Sequence, residues 1–77
     1  MKIKGHEITI IENHENEPWP RSICYDGKRM DYNHRWESTA RGQIIYYKAP
    51  EDATIFQGVG ILKNDLLRVI EERRLQQ

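Results

Sequence analysis

The residues of this chain best suited to metal or nucleophilic chemistry are three histidines, His6, His14 and His34, and a single cysteine, Cys24. Zinc sites take their ligands as closely spaced pairs, with a second cysteine or histidine a few positions from the first. No two of these four residues stand at that spacing, so surface imidazoles and a packed thiol are the expectation, with no metal. A cysteine protease-like arrangement can be written on paper from Cys24, His34 and either Asp31 or Glu37. Activated thiols, however, sit at helix N-termini or beside cations, and Cys24 falls in the middle of an extended run. The acids give no better lead. Glu51-Asp52 reads as a turn and Glu71-Glu72 as the outer face of a helix, whereas catalytic carboxylates need an apolar setting to perturb them. Gly58-Val59-Gly60 precedes a helix but lacks both the third glycine of a dinucleotide loop and a Gly-Lys-Ser/Thr sequence. The expectation is a non-enzymatic chain without a cofactor.

A different chemistry collects in the middle of the sequence. Formal net charge is zero, which gives no simple electrostatic argument for a nucleic-acid or acidic partner. The distribution is uneven, because residues 18–50 carry six Lys/Arg against three acids. Aromatic and basic side chains interleave there, and the candidate binding set is Trp19, Arg21, Arg29, Arg35, Trp36, Arg41, Tyr46 and Lys48. Trp, Tyr and Arg are the types that anchor protein interfaces, so a protein partner is the first expectation, met mainly by Trp19, Arg21, Arg35 and Trp36 from loops. Aromatic faces can also stack bases while Lys and Arg follow phosphates, so a nucleic-acid partner bound by Arg29, Arg35, Tyr46 and Lys48 is the alternative. Asp26, Asp31 and Glu37 dilute the field on which that alternative depends. Both tryptophans can instead fold back to cover the core, since a small domain needs every large side chain for burial.

The elements that must position these residues are short. Ile3–Glu12 reads as one extended stretch, with Ile8 and Ile10 on one face and Glu7, Thr9 and Ile11 on the other. Residues 13–20 hold two prolines among turn formers and make a loop. Asp26-Gly27 between two extended runs predicts a type I′ hairpin, pairing Tyr25 with Lys28, Cys24 with Arg29 and Ile23 with Met30. Ile23, Tyr25, Lys28 and Met30 then face the core. Asn33–Gly42 reads as polar and irregular. Gln43–Lys48 is a strand, Ala49–Asp52 a turn, Ala53–Gln57 a further strand, and Gly58-Val59-Gly60 ends the sheet. Asn64 is the expected N-cap of a closing helix, with Asp65 in its first turn, Arg73-Arg74 in its last, and an apolar stripe of Leu62, Leu66, Val69 and Ile70.

These pieces define a single α+β domain over residues 1–77. It is an antiparallel sheet of four to five strands, barrel-like if it curls, packed by one C-terminal helix. Seventy-seven residues lie near the lower limit for a self-sufficient core. Ten isoleucines and four tyrosines favour sheet. With one cysteine no internal disulfide can form, and a cytoplasmic location is expected. No apolar run approaches a membrane span, and the N-terminus lacks the apolar stretch of a signal peptide. Without a disulfide or metal, self-association as a homodimer is one remaining way to stabilise so small a domain. The functional expectation is a binding or regulatory module. Domains of this size and charge are common in phage and other mobile elements, where they act on a host macromolecule as inhibitors or adaptors.

Overall fold

The computed structural model describes residues 1–50 and 58–75. Its strands are β1 (Lys2–Ile3), β2 (His6–Asn13), β3 (Pro20–Tyr25), β4 (Lys28–Thr39), β5 (Gly42–Lys48) and β6 (Val59–Leu62), followed by helix α1 (Lys63–Leu75). Each strand pairs antiparallel with the next, in the order β1-β2-β3-β4-β5-β6, and the sheet curls into half of a barrel. The α+β class and the antiparallel sheet with one C-terminal helix therefore match the sequence reading, while the strand count is six rather than four to five.

The Asp26-Gly27 hairpin forms in the predicted register, with Ile23 opposite Met30, Cys24 opposite Arg29 and Tyr25 opposite Lys28. Both turn residues take the positive φ that a type I′ turn requires, 50° and 84°. The same turn occurs once more where the sequence reading ran straight through. Lys4 and Gly5 also have positive φ, and Ile3 pairs with His6. The expected strand Ile3–Glu12 is thus a small hairpin followed by β2, because glycine at the second turn position makes the reversal inexpensive.

Two further corrections lie at β4 and β6. Residues 33–39, expected to be irregular, continue β4, which runs alongside β5 from Tyr32 opposite Tyr47 to Thr39 opposite Gly42. Polar composition misled here, because residues 34–39 are exposed on both faces of the strand, so backbone pairing with β5 and not burial holds them in the sheet. Gly58-Val59-Gly60 does not end the sheet. Val59–Leu62 pairs with β5, placing Gly60 opposite Tyr46 and Ile61 opposite Ile45. A Cβ at Gly58 would lie 2.5 Å from the Tyr47 carbonyl oxygen, and one at Gly60 would lie 2.8 Å from Ile44 Cγ2, so close approach rather than flexibility accounts for both glycines. The helix starts at Lys63, one residue before the expected cap Asn64. The expected Glu51-Asp52 part of the turn and the strand Ala53–Gln57 lie outside the described residues.

The core occupies the concave face of the sheet. Ile8, Ile23, Met30, Ile45, Tyr47 and Ile61 meet Leu66 and Val69 of α1 there. The helix lies on β2, β5 and β6, as the Leu66/Val69 stripe required. The two edges of the sheet approach each other, and Ile3 on one side and Gly60 and Ile61 on the other line a crevice of about 60 Å³. No helix among the described residues is long and apolar enough to cross a membrane.

Candidate functional site

The predicted binding set divides. Trp19 is not a surface residue: it is 4 % exposed and belongs to the core cluster. The loop that carries it is organised by His14, whose Nδ1 accepts hydrogen bonds from the backbone N–H groups of Asn16 (3.1 Å) and Glu17 (3.2 Å). The far end of the loop is tied to β5, because the buried Tyr47 hydroxyl donates to the Pro20 carbonyl at 2.6 Å. Burial holds the Tyr47 hydroxyl far above the usual tyrosine range. The Trp19 ring packs edge-on to Tyr32. Its indole N–H lies near enough to the Tyr32 hydroxyl to favour that group's ionised form, yet it makes no hydrogen bond among the described residues. Burial, then the Glu17 charge, still push Tyr32 up.

Trp36 is the opposite case. It stands directly across from the buried Ile45, hence on the same concave side, but it is 48 % exposed. Beyond Tyr32 the strand passes through a bulge that sets Asn33, His34 and Arg35 against the single residue Tyr46, with His34 at φ 53°. From there the β4–β5 hairpin carries Trp36 clear of the helix, which packs on β2, β5 and β6.

The convex face collects the remaining residues. Cross-strand pairing places Arg29, Asp31, Lys48 and Tyr46 on this side. Arg35 lies over the Tyr46 ring, its guanidinium carbon 4.8 Å from the ring centroid, and donates from Nη2 to Glu37 Oε1 at 2.9 Å. The Tyr46 hydroxyl donates to the other oxygen, Glu37 Oε2, at 3.0 Å. The Arg35 guanidinium and then the Tyr46 hydroxyl hold the Glu37 carboxyl below its ordinary range, while the hydrogen bond to Glu37 raises Tyr46. Tyr46 in turn covers Gly60, whose missing side chain leaves room for the ring. Glu37 is the hub, and the binding set omitted it. Its signal was present in Arg35-x-Glu37, since residues two apart on a strand share a face.

Arg29 is bound into a second network. Its Nε donates to Asp31 Oδ1 (3.0 Å), and the buried Ser22 hydroxyl donates to the same oxygen (2.9 Å). Arg21 lies 3.8 Å from Glu15. Arg21, Arg29 and His34 line an open groove of about 550 Å³ together with Glu12 and Asp31. Lys48 stands opposite Asp31. Arg41 sits in the β4–β5 turn, its backbone N–H donating to Thr39 Oγ1.

Cys24 is half-buried between Thr9 and Arg29 on the neighbouring strands, and Asp31 is committed to Ser22 and Arg29. His6 stacks on Tyr25 and its Nδ1 lies 2.6 Å from Asp26 Oδ2. That contact, followed by the Glu7 backbone N–H, holds the Asp26 carboxyl low. Among the described residues, no three His, Cys, Asp or Glu side chains converge as a metal site would require. No protein-family model matches the sequence, and no curated protein or solved structure matches it either.

Proposed function

We propose that this chain is a non-enzymatic protein-binding module whose contact surface is the outer part of the β4–β5 hairpin, centred on Trp36 and Arg35. The observation that carries this reading is the exposure of Trp36 in a chain that uses its other tryptophan as core. A large aromatic left half in solvent on one face of the hairpin, with a guanidinium already oriented by Glu37 and Tyr46 on the other, has the composition of interface anchors held in place before binding. Arg41 lies at the tip of the same hairpin. A module of this kind acts by occupying or linking its partner, as an inhibitor or adaptor does; a phage or mobile-element protein acting on a host macromolecule is the setting this reading favours.

Trp36→Ala should keep the far-ultraviolet spectrum and urea midpoint of the parent while losing the partner recovered from native lysate. Undiminished recovery by a folded Trp36→Ala variant would remove the reading.

A nucleic-acid surface is the second reading, favoured by the placement of Arg29, Arg35, Tyr46 and Lys48 on one side of the sheet. It is the weaker one because Asp31 and Glu37 neutralise both arginines, which removes much of the potential that tracks phosphates. Gel shifts with single strands at low salt test it, and no retardation there would exclude it.

A further inference from the structure

We infer that the open edge of β4 pairs with the same edge of a second copy, antiparallel, about a two-fold axis at Trp36. The inference rests on the reading of the Trp36 hairpin as a protein interface and names its occupant. β3 pairs with β4 only from Lys28 to Asp31. Beyond Tyr32 that edge of β4 has no strand partner among the described residues. Thr39 and Gly42 flank a two-residue turn, and residues so placed exchange hydrogen bonds with each other. By alternation Glu37 also bonds inward to β5, while Trp36 and Ser38 direct their N–H and C=O groups at the open edge. Such an edge is a template for strand addition.

Charge selects the occupant and the register. With the axis at Trp36, Arg35 lies opposite Glu37 of the partner subunit, and Glu37 opposite the partner's Arg35. The two tryptophans meet on the concave side, and their backbones exchange both hydrogen bonds. Arg35 and Glu37 already form an ion pair within one chain at 2.9 Å, so pairing closes a square in which every charge has opposite neighbours. The neighbouring registers with correctly directed backbone groups are unfavourable. An axis at Glu37 sets Glu37 against the partner's Glu37, and one at Arg35 sets Arg35 against the partner's Arg35. Like charges directly opposite destabilise a strand pair, and a shift by a single residue would misdirect the backbone groups. Regular pairing with β5 resumes at Trp36 and continues through Glu37, and Arg35 is the last residue of the bulge before it.

Light scattering and sedimentation over a wide concentration range give the test. The parent should show a concentration-dependent dimer. Arg35→Glu and Glu37→Arg, each alone, should raise its dissociation constant by about tenfold or more, with the spectrum of the folded chain retained. Mixing the two single variants should restore association, because one then offers two acids and the other two bases. Arg68→Glu, on the exposed face of α1, should leave the dimer unchanged. A parent that stays monomeric throughout, or a dimer equally weakened by Arg68→Glu, or one indifferent to mixing, would overturn self-pairing. The Trp36 interface reading is tested separately by recovery from lysate, and a monomeric parent that still recovers a Trp36-dependent partner would leave that reading standing.

Discussion

The two halves of β4 belong to one continuous strand and have opposite fates. Lys28–Asp31 runs between β3 and β5, and its inward residue Met30 is buried. Residues 32–39 keep β5 but lose β3, and Trp36, a larger apolar residue on the same side, stays half exposed. Hydrophobicity does not account for the difference; the number of neighbouring elements does. Trp19 and Trp36 differ for the same reason. Trp19 lies in a loop and is buried because His14 and Tyr47 tie that loop down over the core. Trp36 lies in a regular strand and is exposed because the helix rests on β2, β5 and β6. Burial follows tertiary cover, and a binding surface forms where cover stops.

The comparison breaks most readily at the tryptophans. Trp19→Ala removes a core aromatic and should cost about 3–5 kcal/mol in urea unfolding, enough to leave a domain of this size largely unfolded. If Trp19→Ala and Trp36→Ala were equally destabilising, the division between covered body and open hairpin would be wrong. Glycines sharpen it within the body. Gly58→Ala drives a Cβ into the Tyr47 carbonyl and should cost roughly 1–3 kcal/mol. Gly60→Ala meets only the side chains of Ile44 and Tyr46, which can move, so its loss should be the smaller of the two in the same titration. Tyr47→Phe leaves the buried Pro20 carbonyl without its donor, for an expected loss of about 1–2 kcal/mol. Trp36→Ala, out on the hairpin, should shift stability by about 0.5 kcal/mol or less.

The smallest effect is a pH dependence at the opposite end of the sheet. Asp26 is held low mainly by His6, then by the Glu7 N–H. A carboxyl whose folded value is depressed stabilises the fold above its unfolded value, near 3.8, and loses that contribution as pH falls through the lower folded value. Stability curves of the parent and Asp26→Asn should therefore differ above pH about 4 and converge in stronger acid. A constant offset across that range would show that Asp26 acts through its turn geometry and not its charge.

Local interactions wrote much of this protein into its sequence. Asp26-Gly27 fixed a hairpin and its register because few residues tolerate two successive positive φ values. The spacing of Leu66 and Val69 defined the buried stripe of the helix, and alternation set Ile8 and Ile10 on one face of β2 and Ile11 on the other. These features need only the chain's own periodicity. The extension of β4 through residues 33–39, the pairing of Val59–Leu62 and the Arg35–Glu37–Tyr46 cluster depend on which strand comes to lie alongside which, as does the opposite burial of the two tryptophans. A strand takes its hydrogen bonds and its cover from segments distant in sequence, so composition within a window could not report them. Tertiary structure alone decided which of the bulky side chains became core and which was left facing outward.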